Sequence, residues 1–200
     1  MTHSPVIEII IGKNAFVYLL LVYLKVYNGK KEYESGEGMK ISIVYHSESG
    51  NTQKVAELIA EGARITDAVE VRCMPIEDVD RDFVDESKAI FFGTPVYCGS
   101  YSWQIKQWLD TQKNRLAGKL GAVFATEKYL GGGADFAELS LIGALLVEGM
   151  LLYSVGASQG DPYTHFGAVC IRHGDEKQQE RARIFGARVA TKTVELFGDR

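Results

Sequence analysis

The stretch Ile41-Ser42-Ile43-Val44-Tyr45-His46-Ser47-Glu48-Ser49-Gly50-Asn51-Thr52 decides how this chain is read. Its first five residues are β-prone and apolar almost without interruption, the pattern of a strand covered on both faces. Nine polar or glycine residues follow, and then Val55, Leu58, Ile59 and Ala63 recur at three- and four-residue steps, the mark of a helix with one buried face. Strand, polar turn and helix in this order form the first half of a β-α-β unit. Ser47 to Thr52 therefore sits where a strand's carboxyl end meets the positive end of a helix.

The same alternation continues toward the C-terminus. Further apolar runs are Val69 to Met74, Ala89 to Phe92, Gly121 to Ala125 and Leu151 to Val155. Helical spacing recurs at Ile105, Trp108 and Leu109, at Phe136, Leu139, Ile142 and Leu146, and at Phe185, Val189, Leu196 and Phe197. Five β-α units with right-handed crossovers predict an α/β fold: a doubly wound, five-stranded parallel sheet of order 2-1-3-4-5 with helices on both faces. Such sheets bind ligands beyond the carboxyl ends of the strands, where the strand order reverses, so function is expected in the loops after Tyr45, Phe92 and Ala125.

Those loops share an unusual chemistry. Ser47, Glu48, Ser49, Gly50, Asn51 and Thr52 offer a phosphate hydroxyls, an amide side chain and free backbone N–H groups, with a glycine allowing close approach. The loop has one glycine and no Lys-Ser/Thr pair, so it is neither a dinucleotide fingerprint nor a nucleoside triphosphate loop. A capped strand-to-helix turn is the competing reading, with Thr52 among the capping residues. In the second loop, Gly93-Thr94-Pro95-Val96-Tyr97-Cys98-Gly99-Ser100-Tyr101, backbone groups from Val96 to Gly99 are suited to the polar edge of a planar heterocycle, and Pro95 stiffens the turn. Its competing reading is a tight turn with an incidental tyrosine. Cys98 is expected to be a small buried residue, since no histidine neighbours it as an activating base. The third loop, Thr126-Glu127-Lys128-Tyr129-Leu130-Gly131-Gly132-Gly133, reads either as a ligand-facing wall or as a flexible connector with Asp135 as helix cap.

Composition narrows the function classes. In 200 residues the formal net charge is only -4, with no basic stripe for nucleic acid and without the strong acidity of a dedicated carrier that docks on basic partners. That leans toward a small-molecule enzyme. Cys73, Cys98 and Cys170 form no metal or redox pair and are expected to be reduced, which fits a cytoplasmic location. His46, His165 and His173 lack metal-ligand spacing, and His46 falls beside the expected ligand.

Residues 1–38 are expected to form an N-terminal extension preceding a domain over residues 39–200. The apolar run Ala15 to Leu24 is about half the length a membrane helix needs, so no membrane span is expected. It also lacks the flanks of a secretory signal. Asn28-Gly29 favours a hairpin over Val17 to Tyr33, with an amphipathic helix as the alternative. Ser35 to Gly38 is a flexible connection, and Met39 itself is a candidate biological start.

From Met39 to Arg200 the chain resembles the flavodoxin-like FMN proteins, and most closely the NAD(P)H:quinone oxidoreductases of the tryptophan-repressor-binding-protein (WrbA) type. The resemblance is carried by Ser47 to Thr52, Gly93-Thr94-Pro95 with Gly99 and Ser100, Leu109-Asp110, Gly118-Lys119-Leu120 with Val123-Phe124, and Gly131 to Gly133. It implies FMN phosphate contacts at Ser47 through Thr52, flavin-ring contacts at Val96 through Cys98, and a wall from Thr126 through Gly132. It also implies NAD(P)H as co-substrate, a quinone or similar small electron acceptor, and a homo-oligomer, dimer or tetramer. A single-electron carrier serving protein partners is the alternative function. There are departures: the first loop lacks the family's quinone-sandwiching aromatic, a quinone-stacking tryptophan has no counterpart near Leu116, and a ring-contacting histidine is replaced near Glu148. The third loop is one residue longer.

Overall fold

The structure, a computed structural model, describes residues 38–64 and 67–198. The expectations for an N-terminal extension, and for a hairpin within it, fall outside the described residues. In chain order the elements are β1 (Met39–Tyr45), α1 (Asn51–Ala63), β2 (Val69–Pro75), a 3-10 turn (Ile76–Asp78), α2 (Arg81–Glu86), β3 (Ala89–Tyr97), β4 (Ser100–Tyr101) and α3 (Trp103–Thr111). They continue with β5 (Leu120–Glu127), α4 (Ala134–Val147), β6 (Leu151–Leu152), a second 3-10 turn (Ala157–Gln159), β7 (Gly167–Ile171) and α5 (Glu176–Phe197).

The parallel sheet runs β2-β1-β3-β5, with β6 and β7 sharing the fifth position. This is the expected 2-1-3-4-5 order, the arrangement by which flavodoxin itself is known. Each central strand is buried on both faces. Ile41, Ile43, Phe91 and Phe124 point to a core with α1 and α5, while Val44, Ile90, Phe92 and Val123 point to a second core under α2, α3 and α4. Each fully buried Ile or Phe contributes on the order of 2 kcal/mol through burial, so the continuous apolar runs hold both layers at once. Glycine lets α1 and α5 approach closely: a Cβ on Gly62 would strike the Arg183 carbonyl, and one on Gly186 the Ile59 carbonyl.

Several local expectations are corrected. The fifth run, Leu151 to Val155, supplies only the two-residue β6; the longer half of that position is β7, fourteen residues further on. The strand breaks because Val155 (φ 68°) and Gly156 (φ 67°) take left-handed backbone that cannot continue the ladder. The excursion is closed by Thr164, whose hydroxyl donates to the Ser154 carbonyl at 2.7 Å. Arg188 of α5 donates to the carbonyl oxygens of Gln159, Gly160, Asp161 and Pro162 and pins its tip.

α4 is turned relative to the expected face. Ala137, Leu141 and Leu145 are buried, whereas Phe136, Leu139 and Leu146 point outward and Ile142 is half-buried. A helix that is apolar nearly all round offers periodicity on more than one face, so spacing alone does not select the inner one. In α5, Phe185 and Val189 are buried as expected, but Leu196 is exposed. α2 and the β3–β4 hairpin had no counterpart in the sequence reading.

Candidate functional site at the carboxyl edge of the sheet

The first loop ends in an open helix terminus. Gly50 occupies the N-cap position of α1 at φ 79°, a left-handed conformation that favours glycine, and the N-cap residue itself offers no side chain to the helix. The Gln53 N–H donates to the Ser47 hydroxyl at 3.2 Å and the Lys54 N–H to the Gly50 carbonyl at 3.0 Å. Those of Asn51 and Thr52 are left for an incoming acceptor. The Asn51 amide donates to the Ser49 hydroxyl at 2.9 Å, holding the loop's side chains together. A Cβ on Gly50 would meet nothing, so the cradle is open above the amides. A monophosphate fits this donor set, which combines hydroxyls, unpaired amides and the positive helix end.

Thr52 is not the cap. Its hydroxyl is buried and lies 2.8 Å from that of Thr126, at the end of β5, so the first and third loops are joined beneath the surface. Glu48 reaches across toward the second loop: it accepts from the Gln104 side chain at 3.2 Å, and its charge acts on the Tyr97 phenol. Burial, followed by the Glu48 carboxylate, pushes the Tyr97 phenol up from its ordinary value. Beneath the loop His46 is buried, with Nδ1 2.9 Å from a Glu77 oxygen and an unpartnered Nε2 3.8 Å from a Glu48 oxygen. Gln104 was missed in the sequence; only a register placing the start of α3 beside the first loop would have found it.

The second loop is the tip of a hairpin. β3 runs on past Pro95 and pairs Val96 with Tyr101 and Tyr97 with Ser100, leaving Cys98 (φ 50°) and Gly99 (φ 74°) as a two-residue left-handed turn. Cys98 is exposed there, not buried as expected, because the turn lifts it off the sheet. The other two cysteines do pack inside: burial raises the Cys73 thiol to about 11 and that of Cys170 to about 12.

The third loop meets this hairpin directly. A Cβ on Gly133 would come within 2.8 Å of the Gly99 Cα, so backbone lies against backbone. Lys128, Tyr129 and Gly131 lie on the exposed rim. Glu127 is different: its carboxylate accepts from the Ala134 N–H at 3.2 Å, and its carbonyl accepts from the Arg172 N–H at 2.7 Å. Glu127, rather than Asp135, thus serves the start of α4, while Gly132 packs against its side chain. The structure brings the three loops to one edge, but it turns the carboxylates of Glu127 inward and the side chain of Lys128 outward.

The family model of the flavodoxin domain matches residues 42–129. A flavodoxin of Clostridium saccharobutylicum is 46% identical over 80% of this chain and the whole of its own length. This chain belongs to the flavodoxin family. Membership implies an FMN site, and the open amide cradle suits it. An NAD(P)H dehydrogenase (quinone) of Acidithiobacillus ferrooxidans is 30% identical over 80% of this chain and 99% of its own. A solved structure of a flavodoxin, WrbA-like protein from Agrobacterium tumefaciens superposes with a TM-score of 0.64 at 25% identity, covering 79% of this chain and 99% of that one. These likenesses keep the chain near the WrbA-type group within the family. Among the described residues no helix is long and apolar enough to cross a membrane.

Proposed function

We propose that this protein holds FMN between its three edge loops and passes electrons through it to another protein, as a flavodoxin-type carrier. The bound flavin would supply the redox chemistry. The chain's own residues bind and orient: Ser47, Ser49, Asn51 and the N-terminal amides of α1, that of Thr52 among them, hold the phosphate, and Val96 to Gly99 present backbone donors and acceptors to the ring. Tyr97 stands at the end of β3 beside this segment, and Thr126 with Gly131 and Gly132 forms the opposite wall. One observation carries the carrier reading: Trp103, Tyr129 and Leu130 around these loops are 64%, 65% and 85% exposed, an apolar rim suited to transient docking of a protein partner.

The second reading is an NAD(P)H-dependent FMN oxidoreductase that reduces a quinone or similar small acceptor. It is supported by the relatives named NAD(P)H dehydrogenase (quinone), which span nearly their whole length. In that reading the same open edge admits NAD(P)H and then the acceptor, and no protein group need act as a general base. One experiment separates the two. Purified protein loaded with FMN is assayed for NADH and NADPH oxidation with a panel of small quinones and dyes. Negligible turnover, with retained yellow FMN, is the carrier's result; sustained turnover overturns it in favour of the reductase. Protein that stays colourless after incubation with FMN overturns both.

A further inference from the structure

We propose that His46 is a proton-linked clasp for the phosphate of FMN: in its doubly protonated form the ring bridges Glu77 and Glu48 beneath the first loop, and the bound phosphate favours that form. This rests on the reading above, that Ser47 to Thr52 hold the FMN phosphate. The loop poses an electrostatic problem. A phosphate monoester brings about 1.5–2 negative charges at neutral pH. Yet from Ser47 to Gln53 the chain has no cationic side chain, and it carries the carboxylate of Glu48. The loop amides and the helix end supply only partial charges. Among the described residues no lysine or arginine forms an ion pair with Glu48 or Glu77, and the ring of His46 is what meets both.

His46 sits where β1 runs into the loop. Its backbone N–H donates to the Gly93 carbonyl at 3.1 Å, and its side chain is only 8% exposed. Nδ1 lies 2.9 Å from a Glu77 oxygen. A carboxylate only accepts, so Nδ1 carries the proton of the neutral ring, and Nε2 turns a lone pair toward the Glu48 oxygen 3.8 Å away. Two acceptors then face each other, and Nε2 is buried with no other partner. A proton on Nε2 makes the ring a double donor, and a shift of about 1 Å in the exposed Glu48 side chain closes the second bond. The uncharged Gln104 of α3 approaches Glu48 at 3.2 Å, and the Tyr97 phenol of β3 feels the same carboxylate. An imidazolium here offsets Glu48 under the loop that takes the phosphate. Protonation then strengthens FMN binding, and FMN binding draws the proton onto the ring to the same degree. A ring that merely ties β1 to Glu77 has neither property.

Fluorescence titration of the full chain with FMN from about pH 5.5 to about pH 8.5, in wild type and His46→Gln, tests this. Glutamine keeps an amide donor but takes up no proton, and the phosphate's own ionisation enters both titrations alike. Carboxylates and phenols ordinarily hold one charge state across that range, whereas an imidazole changes its own. Relative to the variant, wild type is expected to gain about three- to fivefold in affinity from the high end to the low end, the weight of an ion pair with one exposed partner. At neutral pH, FMN is expected to move the His46 ring resonances of the wild type toward their imidazolium positions, and riboflavin, which lacks the phosphate, to leave them in place. Should His46→Gln fail to fold, those resonances decide alone. FMN bound with one pH profile in wild type and folded variant, or ring resonances that FMN leaves unmoved, overturns the proposal while the FMN reading stands. FMN bound no tighter than riboflavin overturns both.

Discussion

The Thr52 and Thr126 hydroxyls lie 2.8 Å apart in the interior, the first in the opening turn of α1 and the second at the end of β5. Each is the other's partner, with both residues at most 5% exposed. Thr126→Val should therefore strand the Thr52 hydroxyl and cost about 1–3 kcal/mol. For a domain of this size that is roughly 2–4 °C in Tm per kcal/mol. Thr52→Val/Thr126→Val removes both polar groups and should recover most of the loss. A thermal double-mutant cycle checks this; additive losses would show that the two hydroxyls do not depend on each other.

Glu138 is a buried carboxyl whose Oε1 has no hydrogen-bond partner and lies close to Gly167 of β7. Burial, then Asp135 and Glu127, push it well above its ordinary value of 4.5. Because the folded value is the higher one, its stabilising effect is full below the unfolded value and is lost as pH rises toward and through the folded value. Glu138→Gln keeps the shape and removes the titration. Relative to wild type it should gain little at pH 4.5 and progressively more above, by up to about 1.4 kcal/mol per pH unit until the folded value is passed. Urea unfolding of both proteins from pH 5 to 8 gives the difference, and a pH-independent difference would refute the assignment.

Much of this architecture is legible in the sequence because the strands are buried on both faces. Ile41 to Tyr45, interrupted only by Ser42, and Ala89 to Phe92 are apolar at nearly every position, and a sandwiched parallel strand demands that. The three edge loops follow from topology alone. What was not legible depended on contacts between distant segments. The inner face of α4 is chosen by what packs on it, and the break at Val155 by a backbone conformation that a β-branched residue rarely takes. The inward turn of Glu127 depends on where α4 begins, and the exposure of Cys98 on a hairpin that periodicity does not encode.

The crossing of α1 and α5 rests on two glycines. A methyl group at Gly186 would drive into the Ile59 carbonyl, and backbone cannot yield as a flexible side chain can. Alanine favours a helix over glycine by up to about 1 kcal/mol, but overpacking of this kind costs about 1–3 kcal/mol. Gly186→Ala should therefore be destabilising on balance, and Gly62→Ala likewise through Arg183. Denaturant midpoints measure it. A midpoint raised in either variant would mean the two helices separate at little cost.

Glu48 places a carboxylate between the phosphate loop and Tyr97, held by Gln104 and 64% exposed at its side chain. If the flavin ring lies against Val96 to Gly99, that charge disfavours electron arrival. Glu48→Gln should then shift the FMN midpoint potential to a more positive value, by a few tens of millivolts, since an exposed charge is worth under about 1 kcal/mol. The amide keeps the side chain's size and can still accept from Gln104, so FMN affinity should change by less than about tenfold. Glu48→Ala removes the hydrogen bond from Gln104 as well and should weaken FMN more than Glu48→Gln does, because the first loop then loses its tie to α3. Potentiometric titration and fluorescence titration of FMN separate the two effects. A potential unchanged in Glu48→Gln would place the ring away from the second loop.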